Sequence, residues 1–388
     1  MTPSSLSFHI LAKPTGAICN LDCAYCFFLS KKKLYPESNF HMSDDVLRET
    51  IQQYIQSQPK GQEVMITWQG GEPTLMGIEF FERASYYANQ FKAPKQKISF
   101  AIQTNGILLD DTWGKFLRRE EYLVGISIDG TQPLHDTYRR DKGGKPTFKR
   151  VIAGLNILKK HRVDFNILCT VNDANGEHPL EVYRFFRDEL KAEYIQFIPI
   201  VERENDDVTK ASVRPKEWGN FLNEIFDEWV QRDVGKVFIP TFESALANFY
   251  GVPAGICVFN EHCGSALALE HNGDLYACDH YVDPDYLLGN ITENPMLDLA
   301  HSQKQRDFGM AKKDSLPKFC RECEVRFACH GGCPKNRFKK TPTSEEGLNY
   351  LCEGYKAFFR HIDAPMKFMA TELSAQRSPA RVMTDFRQ

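Results

Sequence analysis

Six strand-like runs alternate with helix-like segments through the first two hundred residues. This rhythm limits the fold more than any other feature of the chain. The runs lie near 6–12 (LSFHILA), 63–68 (EVMITW), 98–103, 122–128, 164–171 and 194–200, rich in Ile, Val, Phe and Tyr. Between them, Ser43 offers an N-cap with Asp44 and Asp45 in the first turn, and Val46, Leu47, Ile51 and Ile55 then share one helical face. Further helices are expected over roughly 78–91, 110–119, 147–161 and 179–190, the last opened by Pro179, and another starts near Pro215. In that last helix Trp218, Phe221, Leu222, Ile225, Phe226, Trp229 and Val230 read as a core-facing stripe. Repeated strand–helix units imply a parallel sheet with crossover helices. Six units are too few for an eight-unit barrel and fit either an open, partial barrel or a doubly wound sheet. Both gather ligands at the C-terminal ends of the strands. Polar motifs fall there: Gly70-Gly71-Glu72-Pro73, Gln103-Thr104-Asn105-Gly106, Ser127 with Asp129, and Asn172.

The other constraint is the cysteine map. Twelve cysteines in 388 residues are too sparse for a disulfide scaffold. The N-terminus shows no basic, apolar leader, so the chain is expected to be cytoplasmic, with reduced thiols suited to metal binding or catalysis. A net charge of -3 gives no electrostatic case for nucleic acid or an anionic membrane, and no apolar run reaches the ~20 residues that span one. Cys19, Cys23 and Cys26 form a C-x-x-x-C-x-x-C run directly after the first strand, Cys169 stands alone in a strand, and the other eight lie between 257 and 352.

Three clustered thiolates fit a zinc site with one distant ligand, or a four-iron, four-sulfur cluster with one iron left open. An open metal position is a place for chemistry. The eight C-terminal cysteines fit two structural zinc sites, or two fully ligated clusters.

CNLDCAYC after the first strand, with the GGEP turn, resembles the cluster motif of radical S-adenosylmethionine (SAM) enzymes. That resemblance implies a partial (β/α)6 barrel over 1–235, with the open iron of a 4Fe-4S cluster chelated by SAM. The cysteine array then resembles a SPASM auxiliary-cluster domain, expected over 236–370, with a polar tail over 371–388. By the same resemblance Cys257, Cys263, Cys278 and Cys333 hold one auxiliary cluster and Cys320, Cys323, Cys329 and Cys352 a second, three 4Fe-4S clusters in all.

A narrower likeness runs from Phe8 to Phe359. CNLDCAYCF, WQGGEPTL, QTNGILLD, SIDG, HDTYRRD, FNILCTVN, IQFIP, YACDHYV, LGNI and LNYLC are similar to stretches of the anaerobic sulfatase-maturating enzymes. Those enzymes oxidise an active-site Cys or Ser of a sulfatase to Cα-formylglycine. The match places Tyr25, Gly71, Ser127, Arg139 and Val201 in contact with SAM, and Asp279 as catalytic base, with His280 the competing base. On residues alone Arg139 reads as a surface-loop arginine and Asp279 as a loop or capping residue. Gln69 could face the target residue, and Phe28 stands where some relatives carry Tyr. The implied reaction is hydrogen abstraction from Cβ by a 5′-deoxyadenosyl radical, with Asp279 removing the thiol or hydroxyl proton and an auxiliary cluster taking the second electron. The implied partners are an unfolded sulfatase polypeptide or its active-site peptide, and an electron donor such as flavodoxin or ferredoxin. Two rivals remain at this point: another SPASM peptide maturase that forms a crosslink or thioether, and a zinc-organised binding or scaffold protein.

Overall fold

The computed structural model describes residues 7–59, 61–205 and 207–386. The alternation is met element by element: β1 His9–Lys13, α1 Asp44–Ser57, β2 Val64–Trp68, α2 Ile78–Phe91, β3 Ile98–Thr104, α3 Asp111–Arg119, β4 Leu123–Ser127, a short α4 Gln132–Tyr138, α5 Phe148–Lys160, β5 Phe165–Val171, α6 Pro179–Arg184 and β6 Ile195–Pro199. Leu6, at the start of the first expected strand, lies outside the described residues. Ser43 caps α1 as expected: its extended backbone leaves the side chain to accept from Val46 N at 3.3 Å. Asp110 caps α3, accepting from the amides of Thr112 and Trp113. The helix expected over 179–190 is α6 followed by a π turn at Phe185–Glu189.

The chain divides into two compact units. One holds Met1–Ser127, Tyr138–Phe165 and Cys263–Met310, and the other Ile128–Thr137, Asn166–His262 and Ala311–Gln388. In the first unit β1, β2, β3 and β4 pair in parallel in that order. Their C-terminal ends therefore share one side, which gathers the loop after Lys13, the 70–73 turn, the 103–106 loop and Ser127. In the second unit β5 and β6 pair in parallel, Cys169 is fully buried on β5, and the two-residue strands β7 (Arg203–Glu204) and β8 (Asp207–Val208) follow.

The cysteine-rich region contains strands as well as loops. Its β9 (Ala266–Glu270) returns to the first unit and pairs in parallel with β1, setting Glu270 opposite Lys13. The antiparallel strands β10 (Asp274–Tyr276) and β11 (Leu287–Asn290) extend the same sheet. Short strands with a distant parallel partner carry no local period to read. Part of the expected polar tail is held in place. After the helix Asp363–Ser374, Arg377 pairs with the Glu372 carboxylate at 2.6 Å and Val382 is buried.

In the second unit the aromatic stripe lies on α7 (Pro215–Arg232) and is buried as expected, packed against the helix Cys352–His361. Two glycines permit the close crossing. A Cβ on Gly219 would sit 2.8 Å from Gly354 Cα, and one on Gly354 2.2 Å from the Pro215 carbonyl oxygen. Gly354→Ala is expected to cost about 2 kcal/mol by overpacking, read as a melting midpoint lowered by several degrees.

Candidate active site

The chain leaves β1 at Lys13 and folds back on itself before the cysteine triplet. Gly16 N donates to the Lys13 carbonyl and Ile18 N to the Thr15 carbonyl, both at 2.9 Å. The GGEP turn lies on this loop: Gly71 N donates to Gly16 O at 2.8 Å and Glu72 N to Ile18 O at 2.9 Å. A Cβ at position 71 would lie 1.9 Å from the Ile18 carbonyl oxygen, so only glycine fits.

Glu72 is fully buried and organises the mouth. Its carboxylate accepts from Thr74 Oγ1 at 2.6 Å, Thr104 Oγ1 at 2.7 Å and Asn105 N at 2.8 Å, tying the end of β3 to the turn. Burial pushes its acid strength down despite these donors. Asn105 in turn reaches the triplet: its Nδ2 donates to Asn20 Oδ1 at 2.7 Å and approaches Cys19 Sγ at 3.7 Å. Leu21 N also donates to Cys19 Sγ, at 3.3 Å. Burial pushes the Cys19 thiol up to about 11, and the Leu21 and Asn105 donors oppose that only in part.

Arg139 is not a surface-loop arginine. It is 6% exposed, its carbonyl accepts from Thr147 Oγ1 at 2.7 Å, and its guanidinium lies 5.7 Å from the Tyr25 ring centroid. Tyr25 and Arg139, two of the five expected cofactor positions, thus share one patch beside the triplet. The backbone agrees, with Asp22 N donating to Arg140 O at 2.9 Å. Ser127, at the end of β4, is buried and accepts from Gln103 Nε2 at 3.0 Å. Gln69 presents a buried Oε1 with no hydrogen-bond partner among the described residues.

Asp279 begins a short turn directly after Cys278, and its carboxylate forms an ion pair with Lys13. Lys13 is 1% exposed, and its ammonium also sits 4.2 Å over the Phe28 ring. Phe28 itself is packed with Ala17, Ala268, Tyr276 and Val282. Lys13 was invisible to sequence reasoning. A lysine at the end of a strand carries no motif, and only the return of β9 beside β1 brings residue 279 to it. The competing base, His280, lies with its ring 5.3 Å from that of Phe27.

The remaining cysteines form local groups within each unit. In the first unit, buried Gln305 donates to the carbonyls of Gly264 at 2.9 Å and Ala277 at 3.1 Å, which brings the neighbours of Cys263 and Cys278 together. In the second, Cys320, Cys323, Cys329 and Cys352 line one small cavity. Burial pushes the thiol of Cys329 up to about 12 and that of Cys352 to about 11, and each also feels its neighbouring cysteines. Such thiols ionise when a cation takes the proton's place. Among the described residues no three Cys, His, Asp or Glu side chains converge on a single ion. A four-iron cube holds its thiolates several ångströms apart, and a cavity walled by four thiols fits that donor set. Cys333 and Cys257 also lie in this unit, close enough that Cys257 contributes to raising the Cys333 thiol. Val201, the fifth expected cofactor position, is buried just past β6. No helix among the described residues is long and apolar enough to cross a membrane.

The Radical SAM superfamily model matches residues 14–186, and SPASM, an iron-sulfur cluster-binding domain, matches residues 257–324. The fold and site thus define a radical SAM enzyme with a partial barrel and a SPASM domain. The chain is 46% identical to a serine-type anaerobic sulfatase-maturating enzyme of Bacteroides thetaiotaomicron, over 98% of this chain and 95% of that one. It is 32% identical to a cysteine-type enzyme of Clostridium novyi, over 95% of this chain and 98% of that one. The solved structure of native anSMEcpe with bound AdoMet and Cp18Cys peptide superposes with a TM-score of 0.84 at 32% identity, covering 94% of this chain and 99% of that one. The chain belongs to the anaerobic sulfatase-maturating enzymes.

Proposed function

We propose that this protein oxidises an active-site Cys or Ser of a sulfatase polypeptide to Cα-formylglycine. The observation that carries the reading is identity over nearly the whole chain to enzymes of that name, spanning both the barrel and the cysteine array. Residues 1–235 then carry the radical chemistry and 236–370 two auxiliary clusters. Cys19, Cys23 and Cys26 hold the first cluster. Cys257, Cys263, Cys278 and Cys333 hold the second, and Cys320, Cys323, Cys329 and Cys352 the third. When bound, the reduced first cluster and SAM supply the radical that takes a hydrogen atom from Cβ of the target.

The chain's own residues do the rest. Gly71 lets the turn approach closely, while Tyr25, Ser127, Arg139 and Val201 seat SAM. Arg139, buried beside the triplet, suits a carboxylate. Asp279, held by Lys13, takes the thiol or hydroxyl proton, which makes the carbon centre easier to oxidise. The buried sheet and the packed aromatic wall at Phe28 keep water from that centre. A small electron carrier of the flavodoxin or ferredoxin kind would supply the reducing electron, in the cytoplasm.

The test is anaerobic. Reconstituted protein, SAM, a strong reductant and sulfatase-motif peptides with Cys or Ser are mixed, and deoxyadenosine and peptide mass are followed together. Deoxyadenosine with an aldehyde product is expected. A stable intrapeptide bond instead would move the protein to another class of peptide maturase. A colourless, zinc-loaded preparation would overturn the radical reading altogether.

The second unit offers a separate check. Arg337 donates to the carbonyls of Gly331 at 3.0 Å, His330 at 2.9 Å and Gly332 at 3.2 Å, the three residues between Cys329 and Cys333. All three have positive φ, 46° at His330, 73° at Gly331 and 63° at Gly332; the glycines adopt it freely, and the strain at His330 is braced by the Arg337 bond to its carbonyl. Because Cys329 and Cys333 belong to different clusters, Arg337→Leu is expected to lower bound iron by about four to eight per chain, from about twelve, measured by iron and sulfide analysis.

A further inference from the structure

The chain beyond β6 makes an excursion that is closed by its own hydrogen bonds. Ile200 N donates to Val171 O at 2.8 Å, Thr209 N to Glu202 O at 2.8 Å, and Val213 N back to Ile200 O at 3.0 Å. A two-residue antiparallel pairing of 203–204 with 207–208 forms its tip. Val201, at its base, is the expected SAM contact in the second unit.

Side chains from one other segment, between Cys333 and Cys352, hold this excursion. Lys335 Nζ donates to the Val201 carbonyl at 3.0 Å and to Glu202 Oε1 at 2.6 Å. Further out, Lys339 pairs with Asp207 at 2.9 Å, and Arg203 lies 5.6 Å over the Phe338 ring. The three contacts differ in kind. Lys335 and Glu202 are each 23% exposed, so their pair is partly shielded and its bond to a carbonyl is charge-assisted. Lys339 and Asp207 are 36% and 76% exposed, and such a pair contributes little.

The path from Lys335 to the cysteine is short and stiff. Cys333 precedes a 3-10 turn, Pro334–Asn336, in which Asn336 N donates to Cys333 O at 3.1 Å. Proline at 334 fixes one dihedral of that path. The ammonium that holds Val201 is therefore two residues from a thiol.

We propose that Lys335 is a positioning residue that sets the Val201 peptide for SAM, so that cofactor affinity depends on how the Cys333 segment is seated. This rests on the reading of Val201 as a SAM contact and of Cys333 as a cluster ligand. Coupling of this kind is reciprocal: a seated auxiliary cluster favours SAM binding, and bound SAM favours the seated segment.

The experiment measures SAM affinity of the anaerobically reconstituted holoenzyme by equilibrium binding, with iron content and melting midpoint recorded for each variant. Lys335→Met is expected to weaken SAM binding about tenfold, the scale of one charge-assisted hydrogen bond, with iron retained. At saturating SAM its turnover should approach that of the parent, so the loss appears in KM and not in kcat. Lys335→Arg, which keeps the charge and a donor, should recover most of the affinity. Lys339→Met, which removes the outer pair, should bind SAM as the parent does. Parent-like affinity in Lys335→Met overturns the proposal, as does an equal loss in Lys339→Met, which would mark general docking of the segment. Should Lys335→Met not hold its iron, Lys335→Ala carries the test. It too removes the donor to the Val201 carbonyl, and an affinity equal to the parent's would again overturn the proposal. A parent protein that holds its iron but binds no SAM would instead remove the functional reading on which this rests.

Discussion

Asp279→Asn protein is expected to cleave SAM at close to the parent rate and to form aldehyde at least a hundredfold more slowly. The two products separate because the two events use different groups. On the proposed assignments cleavage depends on the triplet, the GGEP turn and the Tyr25–Arg139 patch, and residue 279 belongs to none of them. Aldehyde formation needs a proton removed from the target, and a positioned general base contributes about 10²–10⁴ in rate. Asparagine keeps the shape of the carboxylate and removes its basicity. It also leaves the Lys13 ammonium, 1% exposed, without its counter-charge. Removing one partner of a buried pair costs about 3–5 kcal/mol, so the variant should melt lower than the parent. Lys13→Met with Asp279→Asn removes both charges and should regain part of that stability without regaining aldehyde. Deoxyadenosine and formylglycine peptide are quantified by mass spectrometry in the same reaction. Full aldehyde yield from Asp279→Asn would pass the role of base to His280 or to solvent.

The parts of this site that were legible in the sequence are those with a local period or a local motif. Alternation of Ile, Val and Phe with capped amphipathic helices marked β1 through β6, because each element buries its own face. The GGEP turn could be singled out by its place at a strand end, and Gly71 within it by the family likeness alone. Three groups of residues were not legible in this way, and each depends on contacts between distant segments. Lys13 meets Asp279 only because β9 pairs with β1. Glu72 joins two loops through hydrogen bonds that no spacing announces. Arg139 looked exposed in a charged stretch, HDTYRRD, yet it folds inward against Tyr25. The C-terminal strands were missed for a related reason. ALALE is short and apolar on nearly every residue, so it has no alternation to separate it from a loop, and its parallel partner lies at the other end of the chain.

Gly71→Ala is expected to abolish SAM binding while leaving the auxiliary clusters in place. The added carbon would sit 1.9 Å from the Ile18 carbonyl oxygen and 2.4 Å from its carbonyl carbon, and backbone cannot swing aside as a long side chain can. One of the two loops must then move. If the turn moves, the hydrogen bonds from Gly71 N and Glu72 N to Gly16 and Ile18 are lost. If the Ile18 peptide moves, Cys19 moves with it, and the donors from Leu21 and Asn105 no longer meet its sulfur. Either route also disturbs Glu72, a buried carboxylate that would lose donors it cannot replace from water, at about 1–3 kcal/mol for each. None of these contacts involves Cys320, Cys323, Cys329 or Cys352, which belong to the second unit, or the Gln305 bonds that hold the neighbours of Cys263 and Cys278 in the first. The variant should therefore bind about eight irons where the parent binds about twelve, show no SAM-dependent change in its spectrum and yield no deoxyadenosine. Iron analysis with equilibrium SAM binding checks it. A Gly71→Ala protein with parent-like SAM affinity would mean that the triplet loop tolerates a displacement of an ångström or more, and that the close approach of the two backbones is not what shapes the cofactor site.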